Sequence, residues 1–174
     1  MTDMKINKVT LMDINQLQEI SRQTFYETFA SSNTEENMTL YLNESFSAAK
    51  LTNELNDPNA EFYFALIDCK VIGYLKINYG QSQKELQDSK FLEIERIYVL
   101  KKYHGKNVGQ VLYEKALLLA RQSNANYVCL GVWEENARAI NFYKKNGFKE
   151  VDKHIFKLGN DEQTDLLMKL KLNN

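Results

Sequence analysis

The stretch FLEIERIYVLKKYHGKNVGQVLYEKAL, residues 91–117, decides how the rest of the chain is read. It begins with a run rich in β-branched and aromatic side chains, residues 91–100, which predicts a strand. The chain then turns through His104-Gly105-Lys106-Asn107-Val108-Gly109. Beyond the turn, Val108, Val111, Leu112, Ala116 and Leu119 share one helical face, with Gln110, Glu114 and Arg121 on the other. A glycine-containing turn from strand to helix leaves N–H groups free at the positive end of the helix dipole, a place suited to a pyrophosphate. Neither GxxxxGK[ST] nor GxGxxG is present. On these residues alone, an anion site and a plain tight connection both stay open.

Upstream, residues 4–10 predict a short strand, and Asp13 is placed to cap a helix through Ile14, Leu17, Ile20, Phe25 and Phe29. Thr34 and Ser47 cap two further short helices, the second closed by Pro58. Residues 62–68 and 71–79 form a hairpin around Asp68-Cys69-Lys70, followed by a polar segment from Gly80 to Lys90. Downstream come a strand at 127–133, a helix at 137–146 ended by Gly147, and strands near 148–158 and 163–172 joined by Gly159-Asn160-Asp161. The order β-α-α-α-β-β-β-α-β-α-β-β mixes hairpins with one crossover. The expected fold is therefore mixed α/β: a mostly antiparallel sheet of about seven strands flanked by helices, in one domain spanning 1–174.

Composition narrows the function. Among 174 residues, 22 Lys+Arg against 23 Asp+Glu give a net charge of −1, which offers no electrostatic footprint for direct nucleic-acid binding. Cys69 and Cys129 are far apart, and His104 and His154 are the only histidines, so neither a disulfide framework nor a metal centre is expected. No apolar run approaches a membrane span and the N-terminus lacks a signal-peptide core, so a cytoplasmic location is expected.

The 91–117 stretch resembles the acetyl-CoA-binding motif of the GCN5-related N-acetyltransferases (GNAT). In that motif a strand ends in a YV-like pair, and (Arg/Gln)-x-x-Gly-x-(Gly/Ala) then opens a helix. Here His104 and Asn107 replace two of the usual residues; Asn is the non-glycine residue that best tolerates left-handed backbone. A second stretch, LGVWEENARAINFYKKNGF (130–148), resembles the family's other half through Asn136, Ala139, Phe142-Tyr143 and Gly147-Phe148. With ETFASSNTEENMTLYL and HIFKLGNDEQTDLLMKL, the likeness extends over the chain to the PaiA-like, polyamine-acetylating members of that family.

The resemblance implies a division of labour. The pantetheine arm of acetyl-CoA would pair with backbone at Ile97, Tyr98 and Val99, and its pyrophosphate would rest on amides of Gly105, Lys106, Asn107, Val108, Gly109 and Gln110. Asn136, a good helix N-cap in its own right, would also touch the cofactor arm. Tyr143 would protonate the departing thiolate. A primary amine, with a pKa near ~10.4, must lose a proton before attack; Glu95 on the central strand is the expected acceptor, with a salt bridge as its alternative role. No covalent acetyl-enzyme is expected, since neither cysteine falls in a matching site.

A polyamine needs carboxylates for its ammonium groups and apolar walls for its methylenes. Tyr26, Glu27, Glu36 and Tyr41 on the first two helices, with Glu93, Trp133 and Glu134, are the candidates; Glu35 and Glu36 also suit the first turn of a helix simply as acids. The expected partner is thus a small-molecule amine. Acetylation of a protein N-terminus or an aminoglycoside, and an acetyl-CoA-binding regulator with little catalysis, remain the alternatives. Monomer and homodimer both stay open.

Overall fold

The computed structural model describes residues 4–173. Among these residues, five α-helices and seven strands run in the expected order. They are β1 (Met4–Lys8), α1 (Ile14–Phe29), α2 (Glu35–Ser45), α3 (Ala48–Asn56), β2 (Ala60–Ile67), β3 (Lys70–Tyr79), β4 (Phe91–Val99), α4 (Val108–Gln122), β5 (Tyr127–Trp133), α5 (Ala137–Lys145), β6 (Lys149–Leu158) and β7 (Asp161–Lys171).

Local chemistry explains most boundaries. The Thr34 and Ser47 hydroxyls accept the N–H groups of Asn37 and Lys50, capping α2 and α3 as their sequences predict. Asp68 and Cys69 both take positive φ, 49° and 61°, as a two-residue hairpin turn requires, so Lys70 already belongs to β3. Asp13 departs from expectation. It precedes α1, yet its carboxylate turns back to accept the Thr10 N–H and hydroxyl, closing a short 3₁₀ turn rather than capping the helix. The first strand also stops at Lys8 rather than residue 10.

The strands form one sheet in the order β1-β2-β3-β4-β5-β7-β6, antiparallel except where β4 meets β5 across the α4 crossover. Apolar residues fill both faces. Leu112, Ala116 and Ala120 of α4, with Ile140 and Tyr143 of α5, pack with Ile72, Ile94 and Leu130 on one side. Leu17, Phe25, Met38, Leu42 and Leu51 of α1–α3 pack with Phe62, Phe64 and Tyr74 on the other.

Two irregularities place the site. The β3–β4 ladder pairs Lys76 with Arg96 but Ile77 with Ile94, leaving Glu95 as an extra residue in β4. Such a bulge bends a strand and flips its alternation. Leu92 and Ile94 before it, and Ile97 and Val99 after it, all join the α4-side core. Tyr98 joins the opposite core, and Arg96 lies over the Phe46 ring on that side. The second irregularity is that β4 and β5 pair only over three residues, Phe91–Tyr127 to Glu93–Cys129, and then part.

Gly73 on β3 lies tight against the parted end of β4. A Cβ there would stand 2.7 Å from the Tyr98 carbonyl oxygen and 3.3 Å from the Val99 Cα. Gly73→Ala should therefore lower stability by about 1–3 kcal/mol through overpacking, read by urea unfolding.

Candidate active site

Where β4 and β5 part, a cavity of about 960 Å³ opens, lined from both faces of the sheet. Its walls combine aromatic rings (Phe29, Tyr41, Trp133, Phe156) with charged groups on β4, β6, β7 and the 80–90 segment.

At one end lies the turn into α4. Asn107 occupies left-handed backbone, φ +66°, as its amide side chain permits. Lys106 N–H bonds the Tyr103 carbonyl at 3.4 Å, and Val111 N–H is the first to bond back into the helix, to the Asn107 carbonyl. Among the described residues, the N–H groups of Gly105, Asn107, Val108, Gly109 and Gln110 have no protein acceptor. Five free donors at a helix start form a receptor for a polyanion. Gly109 also lines the cavity, and a Cβ there would meet nothing within 4 Å, which leaves room above the turn.

Beside this turn, the β5-facing side of β4 at residues 94–99 has no strand partner. Among the described residues, the one group bonded to it is the ring of His104, which lies 2.7 Å from the Val99 carbonyl oxygen. Arg138 donates to its other nitrogen, Nδ1, so Nε2 carries the proton and donates to that carbonyl. Burial pulls the His104 pKa down, which favours this neutral form. Asn136 caps α5 by accepting the Ala139 N–H at 3.2 Å, and it lines the cavity.

Tyr143 is buried against Phe142 and Phe148 and lines the cavity from α5. Among the described residues its hydroxyl has no hydrogen-bond partner, and burial raises its pKa, so it holds its proton. Ile97, Tyr98 and Val99 also line the cavity.

Glu95 does not suit the role of proton acceptor. Its carboxylate meets Lys76 at 2.5 Å, Lys84 at 2.5 Å and Arg96 at 3.2 Å, and Lys76 and Arg96 reach on to Glu54 of α3. Burial alone would raise its pKa, but the three cations outweigh this and hold it well below the carboxylate range. The alternative role, a salt bridge, is the one the structure displays. Glu93 is also occupied: it accepts the N–H groups of Lys84 and Glu85, each at 2.8 Å, and the Asn78 amide at 3.0 Å. Those bonds draw the 80–90 segment against the cavity, where Lys84, Glu85 and Leu86 join the wall.

Of the other expected substrate contacts, Glu27, Tyr41 and Trp133 line the cavity, although Glu27 already accepts the Lys101 N–H at 2.7 Å. Tyr26, Glu36 and Glu134 are not among its lining residues. Tyr26 follows Phe25 on α1 and turns to solvent; Glu36, like Glu35, sits exposed in the first turn of α2. Glu134 lies just past β5 and pairs with exposed Lys153 at 3.8 Å. Glu54, Lys76, Glu85, His154 and Asp165 were not singled out from sequence. Lys76 had a legible signal, a cation between Leu75 and Ile77 in an apolar strand, which needs a buried partner. The others become neighbours only through folding.

Comparison with known proteins accords with this geometry. Residues 14–148 match the family model described as "Acetyltransferase (GNAT) family". The chain is 40% identical over 172 residues to an uncharacterized N-acetyltransferase of the pepI 3′ region in Lactobacillus delbrueckii subsp. lactis, covering 99% of each. It is 28% identical over 152 residues to a spermidine N(1)-acetyltransferase of Thermoplasma acidophilum, covering 85% of this chain and 89% of that protein. The crystal structure of the Thermoplasma acidophilum PaiA N-acetyltransferase in complex with coenzyme A superposes with a TM-score of 0.81 at 25% identity, covering 98% and 99% of the two chains. The chain belongs to the GNAT family of N-acetyltransferases. Its cosubstrate is acetyl-CoA, a ligand whose pyrophosphate suits the five open N–H groups.

Two outcomes follow. Glu95→Gln should cost about 3–5 kcal/mol in urea unfolding at pH 7, because it strands buried cations. Since the folded Glu95 pKa lies below its ordinary 4.5, its contribution is complete above that value and is lost as pH falls toward the folded one, so the variant should lack this acid-limb loss. Asn107→Val should destabilise by about 1–2 kcal/mol, and Asn107→Gly should not, since only the former strains left-handed backbone.

Proposed function

We propose that this protein transfers the acetyl group of acetyl-CoA to a primary amine of a polyamine, by direct attack within a ternary complex. The observation that carries the reading is one cavity with two unlike ends. Open backbone donors and an unpaired strand edge lie at one end, and carboxylates among aromatic rings at the other. Glu85, Asp152 and Asp165 supply negative charge; Phe29, Tyr41, Trp133 and Phe156 supply walls for methylene spacers. The Thermoplasma spermidine acetyltransferase and PaiA structure support the same choice of amine. Net charge near zero means that recognition of a polycation rests on these few carboxylates rather than on bulk acidity.

Acetyl-CoA contributes the activated acyl group and the thiolate leaving group. The residues of the chain do the rest. The N–H groups from Gly105 to Gln110, other than that of Lys106, receive the pyrophosphate. The open edge of β4 at Ile97 and Val99 aligns the pantetheine arm and offers an N–H toward the thioester oxygen. His104 holds the Val99 carbonyl, so this contact loosens wherever the arm takes that acceptor. Asn136 orients the arm from the start of α5. Tyr143 keeps its phenolic proton in a partly dry site and delivers it to the departing sulfur.

Release of free thiol from acetyl-CoA, measured with spermidine, spermine, an N-terminal peptide and an aminoglycoside, tests the amine. The polyamines should give the highest kcat/KM; turnover confined to the peptide or aminoglycoside would reject the polyamine assignment. Tyr143→Phe should lower kcat about 100-fold while CoA affinity changes by less than about threefold. An unchanged kcat would remove the tyrosine from the proton transfer.

A further inference from the structure

An amine that arrives protonated needs an acceptor, and the carboxylates of the cavity are unequal. Glu95 is held by three cations and Glu93 by three hydrogen-bond donors. Glu27 accepts the Lys101 N–H, and exposed Asp152 accepts the Lys153 N–H. Glu85 differs. Its Oε2 lies 3.4 Å from His154 Nδ1. Its Oε1 lies over Gly131, so close that a Cβ on that glycine would stand 2.5 Å from it. Gly131 is two residues past Cys129, the last β5 residue paired with β4, which puts the Glu85 carboxylate at the mouth of the cleft between those strands. His154 is in turn the cross-strand partner of Asp165, whose Oδ1 is buried without a partner among the described residues.

We propose that Glu85, oriented by His154, accepts the proton of the attacking amine; this rests on the acetyltransferase reading above. One N–H bond of the ammonium breaks and its electron pair stays on nitrogen, which becomes the nucleophile. The proton forms an O–H bond on Glu85. His154 keeps its Nδ1–H, which faces Oε2, and Glu85 gives the proton up to water at the mouth of the cleft. Glu85 is the catalytic group and His154 a positioning residue.

The surroundings raise the proton affinity of this acceptor. Glu85 faces His154 from β6, Asp165 from β7 and Glu93 from β4, with Lys84 beside it and, from β5, the Gly131 backbone and the buried Cys129 thiol. Burial, with Glu93 and Asp165, raises its pKa against the opposing pull of His154 and Lys84. Burial likewise pushes Asp165 up to about 6.

The test measures kcat and amine KM against pH for wild type, Glu85→Gln, His154→Asn and Gly131→Ala, using the best amine of the panel, with CoA binding by calorimetry as the check on folding. Glu85→Gln should lose about 100-fold in kcat, with KM moving less than about threefold, and the acid limb of the wild-type profile should vanish. His154→Asn should keep most of kcat but displace that limb. Gly131→Ala, which pushes the carboxylate aside without removing it, should lower kcat about tenfold at unchanged CoA affinity. A Glu85→Gln enzyme within about threefold of wild-type kcat, or one whose loss lies in KM with the limb intact, would overturn the assignment alone. A full-rate Gly131→Ala enzyme would do so too. Wild-type protein that acetylates no amine would instead overturn the transferase reading, and this one with it.

Discussion

Everything at the site depends on one extra residue in the central strand. The bulge at Glu95 shifts the alternation of β4, so that Arg96 and Tyr98, rather than Ile97 and Val99, face the α1–α3 side. It also coincides with the place where β4 leaves β5. A regular strand here would keep Leu92, Ile94, Arg96 and Tyr98 on a single face and drive a guanidinium into the α4-side core. The bulge instead gathers the charges on the α1–α3 side, and beyond it β4 runs without a strand neighbour toward β5.

That geometry carries an electrostatic cost, which the ion network answers. Glu95 and Arg96 enter the interior next to each other, and Lys76 arrives from the facing strand. Each would be costly alone. Glu54 from α3 and Lys84 from the 80–90 segment complete a cluster in which every buried charge has a partner. The same contacts tie α3 and the 80–90 segment to β4, so the walls of the cavity are positioned by the charges that the bulge brought together. This makes Glu95 a structural anion.

The two ends of the cavity differ in how they were readable. The turn into α4 is local: His104 to Gln110 are consecutive, and free N–H groups at a helix start follow from the helix itself. Replacing the usual glycine by Asn107 leaves the left-handed turn intact. The Asn136 and Tyr143 positions are local in the same way, since both sit on α5 at helical spacing. The other end is assembled from β6, β7 and a segment without regular structure. Glu85, His154 and Asp165 are separated by most of the C-terminal half of the chain, and nothing in their local patterns sets them apart from exposed polar residues.

The sequence by itself determined the order and type of every helix and strand, through apolar period, caps and turn residues, and it singled out the glycine-containing turn into α4 and Tyr143. It also singled out Tyr41, Glu27 and Trp133, which line the cavity. Only the tertiary structure decided that Tyr26, Glu36 and Glu134 face away, that Glu93 and Glu95 are consumed by contacts, and that Glu85 meets His154 at the cleft. The physical reason is range. Helix faces and turns are dictated by neighbours within a few residues, whereas the protonation and availability of a carboxylate depend on burial and on charges delivered from distant segments.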